Sequence, residues 1–361
     1  MKNILKIMTV VAMVSVLSFQ SAWAGNDNRR GTAGATELLI NPWARSAGWG
    51  SVSIANVRGL DAFYSNIAGL AFTRNFEGSY SNTIYLGGKS GSTSGASINA
   101  FGLGVRLFES GVAGVSIMTM GFGDIDITTV DNPEGTAGTF SPSFMNIAIG
   151  YSHSFTRSIH GGAAIRIITE STDNISAQGF SIDAGIQYVT GADDELKFGI
   201  SLKNIGTAMH FSGTGHSLTM VNDAGNNFTV ETRSAEMELP TCLNIGLSYD
   251  FLFNEKWAER LTVAGSFTSN AFLKDNFALG LEYAMLGMVE LRAGYVYQTD
   301  IFSESDRTTA NTGLCAGASV EIPLGKKDSN GKSNTALELD YSFRSASPLK
   351  GTHSIGGTLK F

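Results

Sequence analysis

Five histidines are the first side chains to test for catalysis or metal binding: His153, His160, His210, His216 and His353. His210 and His216 share one connecting segment at a spacing unlike that of zinc ligands, so solvated loop histidines are the expectation. Gly213-Thr214-Gly215-His216-Ser217 has the residue types of a nucleophile elbow, but neither its G-x-S-x-G order nor a strand-to-helix setting. Asp126, Asp131 and Glu134 offer oxygens of the kind a divalent cation takes, although a solvated acidic loop accounts for them more simply. Gly102-Leu103-Gly104 and Gly121-Phe122-Gly123 open no helix, so they cradle no phosphate. Cys242 and Cys315 are far apart on polar strand positions and read as two free thiols inside the fold, with no disulfide framework or paired-cysteine metal signature. The expectation is a protein that is not an enzyme and has no cofactor and no metal site.

The remaining chemistry is that of surfaces. The segment 210–238 carries Phe211, Leu218, Met220, Val221, Phe228, Val230 and Met237 in what should be an aqueous loop. Apolar groups in water call for a cover. They pack over the end of the fold, or form a short hairpin around Ala224-Gly225-Asn226-Asn227, or else make a docking surface for a partner or cargo.

The elements that position these residues are strands. In Phe101-Gly102-Leu103-Gly104-Val105-Arg106-Leu107 and in Phe180-Ser181-Ile182-Asp183-Ala184-Gly185-Ile186-Gln187-Tyr188 every second residue is apolar. Leu196 to Lys203 and Leu337 to Arg344 alternate in the same way, and period two puts one face in an apolar medium. The other face carries charge at mid-strand: Arg106, Arg166, Asp183, Lys197, Lys203, Glu282, Glu290, Arg292, Glu338 and Asp340. In a transmembrane barrel such residues line the lumen while the apolar set meets lipid. Fourteen strands are expected, at 74–86, 95–108, 111–124, 142–156, 159–172, 177–190, 195–209, 239–253, 259–271, 275–286, 288–302, 309–323, 334–345 and 350–361. They are longer than soluble strands, which average about five or six residues. Short connections alternate with long ones, as in bacterial outer-membrane barrels, and the segment Leu324 to Ser333 is the one long connection on the short-turn side. Tyr151, Phe155, Tyr188, Tyr249, Phe251, Phe253, Tyr295, Tyr297, Tyr341 and Phe343 stand near strand ends, where interfacial girdles form.

Composition agrees. Glycine is 43 of 361 residues, against a usual share of about 7%. Charged residues are 16% and prolines only 6, and proline is what a continuous ladder excludes. A net charge of -7 argues against nucleic acid as a partner. Residues 1–24 read as a signal peptide: Lys2 and Lys6, an apolar run from Ile7 to Phe19, then Ala22-Trp23-Ala24 as a cleavage site. The last strand finishes at Phe361, an expected assembly signal for the barrel assembly machinery. Residues 74–361 are then the barrel, an outer-membrane protein in contact with outer-membrane lipid.

Residues 25–73 are unlike barrel strands, and a stretch preceding a wide barrel commonly folds inward as a plug. Two motifs stand in it. Ala44-Arg45-Ser46-Ala47-Gly48-Trp49-Gly50 resembles an A-R-x-x-G-x-G element, and Asn66-Ile67-Ala68-Gly69-Leu70-Ala71 resembles an N-P-A-x-L-A element, with Ile67 in place of the proline. The pair, ahead of a barrel ending in Phe, resembles the PorV/PorQ family of Bacteroidota outer-membrane proteins, which is related to the FadL-type fatty-acid channels. The resemblance implies an all-β fold, a 14-stranded antiparallel transmembrane β-barrel with an N-terminal hatch whose motif residues are Ala44, Arg45, Gly48, Gly50, Asn66, Ala68 and Leu70. It also implies a role in type IX secretion: docking to a SprA/Sov-type translocon barrel, receiving secreted cargo through its C-terminal domain, and passing it to a sortase-like surface attachment complex. The loop residues Phe211, Leu218, Met220, Val221, Phe228 and Val230 would form the docking surface. The competing function is a passive FadL-like channel for hydrophobic small molecules, which predicts an apolar pocket near Trp43, Trp49, Phe63 and Phe72 and a lateral gap in the wall.

Overall fold

The computed structural model describes residues 29–87, 96–135, 138–254, 259–303, 305–307, 309–327, 333–347 and 351–361, so the expected signal peptide lies outside the described residues. Fourteen long strands make one sheet: β1 Phe76–Tyr85, β2 Ala96–Leu107, β3 Gly111–Gly121, β4 Ser143–Ser154, β5 Ile159–Thr172, β6 Ile175–Thr190, β7 Leu196–Gly206, β8 Cys242–Asn254, β9 Glu259–Asn270, β10 Asn276–Met285, β11 Val289–Gln298, β12 Gly313–Lys327, β13 Ser333–Arg344 and β14 Thr352–Lys360. Each pairs antiparallel with its chain neighbours, and β1 pairs with β14, so the sheet closes on itself without an edge. Lengths run from 9 residues in β14 to 16 in β6. Closure is completed at the terminus: the Phe361 N–H donates to the Phe76 carbonyl at 2.9 Å, and the two rings lie 5.7 Å apart.

The expected alternation is the alternation of the wall. Phe101, Val105, Phe180, Ile182, Ile186 and Tyr188 face outward and are exposed. Arg166, Asp183, Lys197, Lys203, Glu282, Arg292, Glu338 and Asp340, from the other face, are buried inside. An outward band this apolar fits acyl chains rather than water. Short turns join the strands at one end, among them the left-handed Leu286-Gly287 pair (φ 58 and 63) between β10 and β11. The strand expected to stop at 323 instead continues to Lys327, because its pairing with β13 resumes past a bulge at Leu324/Lys327. The long connection expected at that end is therefore short.

The chain ahead of β1 runs through the lumen. It consists of 3-10 turns at Thr36–Leu39, Gly59–Phe63 and Ile67–Phe72 and one helical turn at Ala44–Ala47. Trp43, Trp49, Val52, Ile54, Leu60, Phe63, Ala68 and Leu70 on it are buried. It touches strands right around the barrel, from β1 to β6 on one side and β12 to β14 on the other. Among the described residues no helix is long and apolar enough to cross a membrane, so crossing falls to the strands.

Candidate functional site: the hatch and the two cavities beside it

The hatch sits on lumen-facing glycines. A Cβ on Gly199 would lie 2.4 Å from the Ile54 carbonyl oxygen, one on Gly280 2.4 Å from Trp49 Nε1, and one on Gly317 3.0 Å from Gly48 Cα. At Gly199 and Gly317 wall and hatch approach backbone to backbone, and at Gly280 the Trp49 indole fills the space a side chain would need. This places a use on the glycine excess that strand propensity alone leaves unexplained.

Asn66 is the main clasp. Its Oδ1 accepts the Ala68 N–H at 3.1 Å and so caps the turn Ile67–Phe72. Its Nδ2 lies 3.0 Å from the Ile54 carbonyl, 3.1 Å from that of Ile186 and 3.3 Å from that of Ile200. Ile186 and Ile200 are directly paired on β6 and β7, so one amide spans the joint between two strands. The turn forms without the motif's proline; Ile67 instead packs its side chain against Gly150. Ala68 and Leu70 are fully buried behind it. A few residues away the β6–β7 ladder is broken at Asp183, whose carboxylate bridges the break: Oδ1 accepts the Asn204 N–H at 2.7 Å and Oδ2 accepts from Arg166 at 2.8 Å. Arg166 also donates to the Phe63 carbonyl at 3.0 Å, tying this irregular stretch of wall to the hatch.

Arg45 is the electrostatic anchor. It projects between Glu290 at 3.0 Å and Glu338 at 3.3 Å. Burial opposes its charge, yet these two carboxylates hold the guanidinium firmly protonated. Ala44 packs on Gly356, Gly48 on Gly317, and Gly50 (φ 67) beside Val296 and Cys315. Asn41 and Asp61, which the motif comparison does not mark, hold the same turn. Asn41 Nδ2 lies 2.9 Å from both Ser46 Oγ and Ser51 Oγ, and Asp61 accepts the Ser46 N–H at 3.0 Å. The signal for Asn41 lay in its place ahead of Pro42, where a side-chain oxygen can cap the coming turn; it accepts the Trp43 N–H at 3.0 Å.

A cavity flanks the hatch on each side. The one toward the short turns, about 270 Å³, is lined by charge. Most of its cations are paired: Arg292 with Glu282 at 2.7 Å, Arg260 with Glu282 at 2.6 Å, Arg74 with Glu321 at 3.0 Å, Lys197 with Asp250, and Lys360 with Glu338, while Arg58 lies over the Phe72 ring. The one toward the long loops, about 130 Å³, is lined by Tyr64, Lys203, Asn244 and Arg344 among others. The apolar pocket expected near Trp43, Trp49, Phe63 and Phe72 is not formed. Trp43 and Phe63 are packed against wall glycines, and Trp49 packs on Gly280 and reaches the edge of the charged cavity. Phe72 lines the charged cavity, beneath Arg58 at 4.9 Å and beside His160 at 4.4 Å.

The outer segment after β7 divides in two. Phe211 pairs with Ala177 and packs on the buried cluster of Leu38, Ile168 and Met209 at the barrel's end. Ser217–Val221 and Asn227–Glu231 form a separate two-stranded ribbon. Its register sets Leu218 against Val230 and Met220 against Phe228 on one face, and leaves Val221 opposite Asn227 on the other. Leu218, Met220, Val221 and Phe228 are exposed. Asp126, Asp131 and Glu134 are exposed as well, and among the described residues no three His, Cys, Asp or Glu side chains come together as metal ligands.

With this geometry in hand, known structures can be compared. The sequence matches no protein-family profile and none of the curated proteins. Solved structures do match. The CymD monoaromatic hydrocarbon channel superposes with a TM-score of 0.55 at 12% identity, over 90% of this chain and 98% of its own. The toluene transporter TodX of P. putida superposes at 0.53 with 14% identity, over 89% of this chain and 99% of its own. The fold is that of the FadL-type outer-membrane channels. By their descriptions one neighbour is a channel and the other a transporter.

Proposed function

We propose that this chain is an outer-membrane barrel that passes small apolar molecules across the membrane passively, under the control of its hatch. The observation that carries the reading is a plug seated by side-chain clasps and glycine contacts, with a cavity on each side of it. Such a plug can shift without breaking the wall. The likeness in fold to CymD and TodX supports the cargo class, because those proteins are described as carrying monoaromatic hydrocarbons and toluene. Passage then requires a hatch displaced from the arrangement described, since Trp43 and Phe63 pack against wall glycines and the cavity that Trp49 and Phe72 reach is lined by charge. The test is initial toluene uptake by cells carrying the protein in their outer membrane. The protein should raise the rate over empty cells, and Asn66→Ala should raise it further by loosening the hatch. Equal rates in all three would sink the proposal.

A second reading rests on the ribbon. A two-stranded ribbon with Leu218, Met220, Phe228 and Val230 on one face, held out beyond the barrel, suits a protein partner. Together with the motifs at Ala44–Gly50 and Asn66–Ala71 it supports a PorV/PorQ-like role, with a SprA/Sov-type translocon, cargo C-terminal domains and a sortase-like attachment complex as partners. Deleting 217–231 should abolish co-purification with a very large outer-membrane barrel while toluene uptake persists. Retained co-purification would remove the ribbon from that role.

A further inference from the structure

The two cavities differ in charge balance, and the difference points to a ligand. In the cavity toward the short turns the buried cations face carboxylates, as the ion pairs of Arg45, Lys197, Arg260, Arg292 and Lys360 attest, and only the exposed Arg58 rests on a ring instead. The cavity toward the long loops is lined by two cations, Lys203 and Arg344, and by no Asp or Glu among the described residues. Each of these residues is only 6% exposed. Among the described residues the Lys203 ammonium has no ion pair or hydrogen bond; it rests 3.9 Å from the centroid of the Tyr64 ring. Arg344 makes a single long contact, 3.4 Å, to the Asn41 carbonyl, and its Nε has no acceptor. Asp183, within electrostatic reach of Lys203, is already engaged by Arg166 and by the Asn204 N–H. The neutral oxygens of Asn276 and Asn311, which line the same cavity, also have no hydrogen-bond partner among the described residues, so neither is drawn onto a cation. Asn244 gives its amide to Ser201, Asn270 to the Lys274 carbonyl and Asn311 to the Tyr85 hydroxyl.

Two buried cations without carboxylates are costly in a protein interior unless something anionic completes them. The geometry points to a site for a small free oxyanion, of the size of phosphate, held between Lys203 and Arg344 above the hatch. The cavity, about 130 Å³, accommodates such an ion and its nearest waters. The ion would rest against Tyr64, whose phenol is fixed by donating to the Leu39 carbonyl at 2.7 Å, so that occupancy also braces the hatch. The inference is independent of which cargo the barrel passes.

The experiment is a titration of the purified, detergent-folded full chain with inorganic phosphate, read by calorimetry. Saturable binding below about 10 mM is expected, with Lys203→Met and Arg344→Met each weakening it about tenfold or more, near 1.4 kcal/mol. Arg157→Gln, which removes one positive charge from an exposed short turn, should leave the affinity unchanged. Resistance to unfolding in cold SDS verifies that each variant is a folded barrel. No saturable binding, or equal loss in Arg157→Gln and Lys203→Met, would overturn the assignment. Dodecyl phosphate serves as the lipid-like arm: competition much tighter than that of inorganic phosphate would also overturn it, by making the ligand a headgroup rather than a free ion.

Discussion

At the residue scale, Asn66 concentrates more of the hatch's attachment than any other polar side chain described. One amide satisfies a turn N–H and reaches three carbonyls, two of them on the wall. Asn66→Ala strands those groups in a dry interior and should lower unfolding stability by about 2–4 kcal/mol, measured by denaturant titration in detergent. Glu37 is a second residue with a measurable consequence. Burial, and then the facing charge of Glu170, raises its pKa to about 8 from 4.5. Asn146 is the other polar neighbour, and Leu38, Ile168 and Met209 make up the apolar surroundings. Because the folded state holds the proton that the unfolded chain releases above 4.5, this group's contribution is complete below 4.5 and is lost as pH rises toward 8. The melting temperature of the wild type should therefore fall more between pH 5 and pH 8 than that of Glu37→Gln. Parallel curves would show that the carboxyl pair does not titrate in this range.

At the scale of elements, the hatch is shaped by the wall as much as by its own sequence. Its helical and 3-10 turns are only four to six residues long, too short to be stable alone. What holds them is approach to strand backbones at glycine. Gly199→Val should leave the wall closed, since the residue keeps its ladder partners, yet push Ile54 and the loop after it off β7. Protease cleavage within residues 40–73 should then rise sharply while the SDS-resistant barrel persists. Loss of the barrel itself would mean that hatch and wall fold as one unit. This contact pattern was not legible in the sequence. Glycine in an alternating strand looks the same whether it faces lipid, water or another backbone. The wall itself was legible, because a residue's side of a strand follows from its position alone. The ribbon was half legible: its turn near Asn226 was readable, but not that Phe211 would leave it to pack on the barrel, which depends on where β6 ends.

At the scale of the whole molecule, closure is the organising event. Phe361 completes the ladder between β14 and β1 and packs its ring, tilted, against that of Phe76. Phe361→Ser should lower the yield of heat-modifiable, SDS-resistant barrel several-fold without altering the fold of what does assemble; an unchanged yield would show that closure does not depend on the terminal ring. Closure also explains the lumen. Once the apolar faces turn outward, every charged residue between them is driven into a shared interior, where pairing is the alternative to a heavy desolvation penalty. Pairing succeeds toward the short turns and is left incomplete at Lys203 and Arg344.

The sequence by itself determined the strand number, the direction each strand residue faces, and the presence of an unstrand-like segment ahead of the wall, because period-two alternation is a local property that survives without knowledge of neighbours. Only the tertiary structure decided which charges meet, where the glycines press on the hatch, and that Trp43 and Phe63 fill the lumen instead of lining a pocket. Those outcomes depend on which of the strands face one another across the barrel, residues hundreds of positions apart, and nothing in a local pattern encodes that distance.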